Sequence, residues 1–136
     1  MMKELTIEAA VENIEVVTDF VSAELEQMDC PIKAQTQIAI AIDELFGNLA
    51  KYAYSPEVGR ATVRIDFEEN PLAVILTFIN NVKPFNPLEH ADPDTHIAAQ
   101  DRPQGGLGIF LVKKTMDMVE YEYQNGQNIL RLKKNL

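Results

Sequence analysis

The sequence predicts an α+β chain folded as a two-layer α/β sandwich, with helices covering one face of a mixed, mostly antiparallel sheet. Three observations carry that expectation. Over the first fifty positions the apolar residues recur at steps of three and four, as on helices that bury one stripe. Around residues 63–79 and 119–133 they alternate or run together, as on strands. The strands follow one another across short polar turns, so antiparallel pairs form with the helices segregated from them. The length of 136 residues fits a single domain, large enough to bury roughly two-thirds of its unfolded surface.

Residues 4–9 alternate weakly and predict an edge strand. From Val11 to Met28, the residues Ile14, Val17, Val21, Leu25 and Met28 form the stripe of an amphipathic helix, which Asp29-Cys30-Pro31 interrupts. A second helix is expected from about Lys33 to Tyr54, with Ile38, Ala41, Ile42, Leu45, Leu49 and Tyr52 on its core side. Ser55-Pro56 and Gly59 supply the turn chemistry that ends it. Val63, Ile65 and Phe67 alternate with Arg64, Asp66 and Glu68, the pattern of a half-buried strand. Leu72 to Ile79 is apolar on both faces and reads as a central strand, joined to its predecessor by a hairpin at Asn70-Pro71. Residues 80–106 keep no period and hold prolines at 84, 87, 93 and 103, which predicts a long loop of the kind that usually serves function. A helix from Leu107 to about Met116 follows. Val119 to Tyr123 and Ile129 to Lys133 close the chain as a strand pair around Asn125-Gly126.

A content of 46% hydrophobic and 24% charged residues is ordinary for a folded domain. The N-terminal residues have no apolar signal core, and no run approaches the roughly 20 apolar residues that span a bilayer. The single cysteine, Cys30, excludes an internal disulfide framework. It fits a reducing cytoplasm and reads as a free buried thiol. The net charge of -9 argues against nucleic acid as a partner. A small phosphate ligand stays compatible, because it feels local N–H groups, a metal ion and a few cations more than the distant surface.

Two polar constellations interrupt the apolar pattern. Glu44 and Asn48 are four residues apart and so stack on one helix face, which Lys51 continues. A carboxylate and an amide oxygen at that spacing suit a hard cation such as Mg²⁺, yet the same pairing is commonplace on solvated helices. Gly47 between them costs roughly 1 kcal/mol of helix propensity, which is consistent with a close approach by a ligand or another backbone. Farther on, Gln104-Gly105-Gly106-Leu107-Gly108-Ile109 opens the third helix. Glycines at a helix N-terminus offer N–H groups and the positive end of the dipole to phosphate oxygens, or they form a plain flexible turn. Arg102 precedes this loop, and Lys113 and Lys114 in the helix read as solvated. Asn80-Asn81-Val82-Lys83-Pro84-Phe85-Asn86-Pro87, leaving the central strand, reads as a turn stiffened by proline around an anchoring aromatic.

Taken in order, Glu44-x-x-x-Asn48, Tyr52-Ala53-Tyr54, Pro84-Phe85-Asn86-Pro87 and Gly105-Gly106-Leu107-Gly108-Ile109 resemble the GHKL ATPases. The resemblance is strongest to the anti-sigma-factor serine kinases of that group and covers about Glu8 to Lys134. It implies the Bergerat ATP-binding fold, a single histidine-kinase-like ATPase domain over residues 1–136, and an ATP lid at residues 88–104. It further implies Mg²⁺ and ATP as cofactors. The implied partners are a sigma factor held inactive and a STAS-type anti-anti-sigma protein phosphorylated on serine, with the kinase a cytoplasmic homodimer that regulates transcription. By the same resemblance Glu44 is the general base and Asn48 the Mg²⁺ ligand. The cofactor-binding set is Asn48, Lys51, Asn80, Pro84, Phe85, Arg102, Gly105, Gly106, Leu107 and Gly108. His90 and His96 fall in the lid as solvated residues.

The chain departs from this pattern just before the Pro-Phe turn. Members of the group carry Asp-x-Gly there, with the aspartate accepting from the adenine amino group; here the positions are Asn80 and Val82. An asparagine oxygen still accepts but lacks the charge that roughly doubles such a bond. Two readings follow: a kinase with a relaxed adenine contact, or a nucleotide-poor module that grips a protein partner on the same fold.

Overall fold

The computed structural model describes residues 2–50, 59–81, 84, 86 and 106–136. Among these residues five strands form one sheet in the order β1-β2-β3-β5-β4, and all four of its pairings are antiparallel. They are β1 (Lys3–Glu8), β2 (Arg60–Glu68), β3 (Ala73–Asn80), β4 (Met118–Gln124) and β5 (Gln127–Asn135). Three helices, α1 (Ile14–Gln27), α2 (Ile32–Asn48) and α3 (Gly106–Thr115), complete the α+β two-layer arrangement. The central helix α2 packs against both α1 and α3.

Period two decides which side of each strand meets the helices. Val63 and Ile65 of β2, Val74, Leu76 and Phe78 of β3, and Leu130 and Leu132 of β5 are buried. They join Val17, Val21 and Leu25 of α1, Ile38, Ile42, Leu45 and Phe46 of α2, and Ile109 and Val112 of α3 in one core. At about 25 cal/mol per Å² of apolar area, this shared burial is what holds the two layers together. Residues of opposite parity, such as Arg64, Ile75, Thr77 and Arg131, lie on the uncovered face around a concavity of about 400 Å³. None of the described residues lining it is a predicted site residue.

The turns follow their local chemistry. At the end of α1, Asp29 takes φ 53 and Cys30 N–H returns to Leu25 O at 3.2 Å, which leaves Met28 outside the core. Asn125 at φ 54 and Gly126 at φ 78 make the tight β4–β5 turn that the Asn-Gly pair predicts. Among the described residues α2 ends at Asn48, and the backbone widens into a π-helical turn at residues 49 and 50. The expected continuation to Tyr54, including Tyr52, lies outside the described residues.

The C-terminal end of α3 is fixed to β5. Lys134 Nζ donates to Thr115 O at 2.7 Å, and Asn135 N–H donates to Asp117 Oδ2 at 2.6 Å, just beyond the helix.

Candidate functional site

The two polar constellations, 60 positions apart in the chain, meet in space. Glu44 projects from α2, half-buried, and its carboxyl group lies against Gly108 in the first turn of α3. A Cβ built on Gly108 would overlap the carboxyl carbon and both oxygens of Glu44. Glycine at 108 lets the Glu44 side chain come this close; a methyl group there would push the carboxyl group aside.

Gly47 serves no such purpose. A Cβ there would rest 3.6 Å from Ile14 Cδ1, an ordinary van der Waals contact. Among the described residues the neighbour of this buried glycine is therefore a side chain of α1.

One turn beyond Glu44, Asn48 is 6% exposed, and its amide nitrogen is buried without a hydrogen-bond partner among the described residues. Leaving such a group unpaired costs about 1–3 kcal/mol. Exchange of the two amide positions would turn the oxygen toward the same space. An orphaned, buried carboxamide beside a carboxylate fits an absent hard cation, which needs few protein oxygens when phosphates and water supply the rest. Among the described residues no group of three or more His, Cys, Asp or Glu side chains gathers as a metal site.

A second polar cluster lies on the sheet. Asn80 ends β3 directly across from Asn128 of β5. Both are buried, and Asn128 Nδ2 donates to Asn80 Oδ1 at 2.9 Å. The Tyr121 hydroxyl of β4 donates in turn to Asn128 Oδ1. The three polar groups border a slot whose apolar walls are Leu45, Leu49, Phe78 and Leu130. Its interior is about 20 Å³, room for one water molecule. Leu45 and Leu49, expected as core alone, are walls of this slot as well.

Of the other predicted site residues, Gly106 begins α3 and Leu107 lies in its first turn, while Pro84 is exposed. Lys51, Phe85, Arg102 and Gly105 lie outside the described residues, as do Val82, Tyr52-Ala53-Tyr54, His90, His96 and the whole of 88–104. Lys113 and Lys114 stand exposed in the last turn of α3, where cations complement the helix dipole. Lys114 Nζ lies 5.4 Å from the centre of the Phe110 ring. The first glycine turn is thus at the other end of the helix from both lysines.

Asn128 and Tyr121 were not among the residues singled out from sequence. A signal existed for Asn128. On β5 the buried positions read Asn128, Leu130, Leu132, so a polar residue occupies the core-facing parity. Asn80 breaks the buried series of β3 in the same way.

Comparison with known proteins extends this picture across the chain. Residues 7–134 match the model of the histidine kinase-like ATPase domain. The chain is also similar to proteins named serine-protein kinase RsbW from Bacillus thuringiensis (strain Al Hakam) and Bacillus cereus (strain 03BB102). In each case it is 23% identical over 137 residues, spanning 96% of this chain and 82% of the relative. A Bacillus anthracis protein of the same name matches to the same extent. The GHKL resemblance and the α+β sandwich agree with these matches. This chain belongs to the histidine kinase-like ATPase domain family.

Proposed function

We propose that this chain binds Mg²⁺-ATP and transfers its γ-phosphoryl group to a serine of a small STAS-type anti-anti-sigma protein, and that it otherwise holds a sigma factor inactive. The observation that carries the reading is the seat of the Glu44 carboxyl group on Gly108, which joins the acid of α2 to the glycine turn of α3. Similarity to proteins named serine-protein kinases supports the same chemistry.

In this reading residues 1–136 act as one ATPase domain with 88–104 as its lid, in a cytoplasmic homodimer. Asn48 holds the metal through its amide oxygen. Lys51, Arg102, Gly105, Gly106, Leu107 and Gly108 surround the phosphates, and Asn80, Pro84 and Phe85 border the base. When bound, Mg²⁺ neutralises charge on the phosphate oxygens. Glu44 takes the proton of the attacking serine hydroxyl as its oxygen bonds to the γ-phosphorus. The bond from that phosphorus to the bridging oxygen breaks, and ADP leaves. Gly108, lacking a Cβ, lets the carboxylate stand where that proton is delivered.

The test is calorimetry with Mg²⁺-ATP together with a phosphotransfer assay on the anti-anti-sigma partner. Binding and serine phosphorylation are expected. No heat and no thermal shift at millimolar nucleotide would sink the kinase reading.

One observation favours a second reading. The base end is occupied by its own polar groups and its slot holds about 20 Å³, far below the several hundred Å³ of common ligand pockets. A nucleotide-poor module that grips a protein partner would have that character. Partner binding that is indifferent to nucleotide would establish it.

A further inference from the structure

We propose that the outer edge of β4 is a docking site for an extended segment of a partner protein, one that alternates lysine or arginine with apolar residues. The inference does not depend on the nucleotide reading above. β4 stands last in the sheet, with β5 on one side and, among the described residues, no strand on the other. Such an edge leaves alternate main-chain N–H and C=O groups outside the ladder, a template for one more strand.

This edge lacks the features that commonly blunt one. Proline, lysine and bulges are the usual protections. The sequence Met118-Val119-Glu120-Tyr121-Glu122-Tyr123-Gln124 holds neither proline nor lysine. Its register runs without a break from Met118 opposite Lys133 to Gln124 opposite Gln127. None of these residues is buried, although alternate residues of β5 beside them are. The other edge of the sheet differs, because Lys3 of β1 carries a charge there and reaches Glu24 of α1 at 3.1 Å.

The two faces of β4 dictate what an added strand must carry. On the helix side Val119 and Tyr121 pack partly against the core, and Tyr123 beyond them is 44% exposed. Apolar residues at every second position of a neighbouring strand would extend the core along this ladder. On the other side Glu120 and Glu122 are exposed. Arg131 of β5 is opposite Glu120 in register and lies 3.4 Å from Glu122, so one cation serves two carboxylates. Basic residues at the alternate positions would supply the missing charge. A second copy of β4 would not. Antiparallel pairing about Tyr121 brings the two glutamates of each copy opposite those of the other, and like charges so placed are destabilising.

The experiment titrates the full chain with a seven-residue peptide alternating lysine with valine, followed by calorimetry and by hydrogen exchange of the β4 amides. At about 0.15 M salt, charges more than about 8 Å away are largely screened, so the net charge of the chain contributes little. Binding should slow exchange at alternate amides of β4 and be at least about tenfold tighter than for a peptide alternating glutamate with valine. The double substitution Glu120→Lys and Glu122→Lys should reverse that preference. The lysine peptide with every main-chain N–H methylated should not bind, because strand addition needs those donors. Equal binding by that peptide, or by one with the same residues and its lysines gathered at one end, would overturn the added strand. No heat and no change in exchange at millimolar peptide would overturn the site. Protection of β4 that grows with chain concentration in the absence of peptide would give the edge to a second copy and overturn the partner proposed.

Discussion

Two polar clusters, one between α2 and α3 and one across β3, β5 and β4, solve opposite problems. At the α2–α3 end a buried amide nitrogen of Asn48 has no partner among the described residues, and Glu44 presses against a residue without a side chain. At the β3–β5–β4 end the amides of Asn80 and Asn128 and the phenol of Tyr121 satisfy one another. An incomplete cluster is stabilised by whatever completes it, whereas a complete one must be opened before anything else binds. On the proposed reading, the difference means that the metal and phosphate end is prepared, while the base end already has bonds of its own.

The comparison breaks most readily at Glu44. Glu44→Gln keeps the shape and removes the base, so phosphotransfer to the partner should fall by about 10²–10⁴, with nucleotide affinity in calorimetry changed only severalfold. A transfer rate within threefold of the unaltered chain would remove Glu44 from its role.

Gly108→Ala should be nearly as damaging for another reason. The new methyl would drive the Glu44 carboxyl aside, and a shift of about 1 Å can cost on the order of a hundredfold in rate. Because the obstructed group is the end of a side chain, the denaturation midpoint should move little.

The two ends should also differ in stability. Asn128→Ala removes the bonds that Asn80 Oδ1 and the Tyr121 hydroxyl make to it and should cost about 1–3 kcal/mol in urea unfolding without ligand. Asn48→Ala removes an atom that is already unpaired, so it should cost clearly less, or stabilise. Equal losses would mean that the ends are not different in kind. Gly47→Ala, one residue from Asn48 in the chain, should stabilise by up to about 1 kcal/mol through helix propensity alone.

The smallest effect concerns Cys30, away from both ends. Burial first, and the charge of Asp29 second, raise its thiol pKa above the ordinary value. The folded state therefore holds the thiol proton more tightly than the unfolded chain. The associated stability is whole below the ordinary thiol pKa of about 8.5 and is lost as pH climbs through the raised value. The urea midpoint should fall more steeply above pH 8.5 for the unaltered chain than for Cys30→Ala.

Much of this was legible in the sequence, for reasons that are local. Alternation at Val63, Ile65 and Phe67 marks one strand, and Asn125-Gly126 states its turn almost alone. The helix stripes are read from Val17, Val21 and Leu25, and from Ile38, Ile42 and Leu45. Glu44 and Asn48 declare themselves by spacing. Features that depend on register or on a third neighbour are not so visible. Asn80 and Asn128 are 48 residues apart and meet only because β3 pairs with β5 in one alignment. Phe46 is 0% exposed, off the predicted stripe, because α2 is flanked by helices on two sides as well as covering the sheet. Gly47 and Gly108 look alike in sequence, and only packing separates an idle glycine from a necessary one.

The tie between α3 and β5 has a mechanical consequence. Lys134 holds the helix at Thr115, and Asn135 holds the chain at Asp117, whereas Gly108 sits seven residues back along the helix, roughly 10 Å by its rise. The helix is therefore a lever with its pivot at the sheet and its working tip against Glu44. A rotation of roughly 5° about the pivot carries the tip about 1 Å along an arc of that length, with little disturbance at Thr115 itself. Events at the C-terminal strand are thus geared up, on a scale to which the placement of the Glu44 carboxylate is sensitive in the proposed reaction.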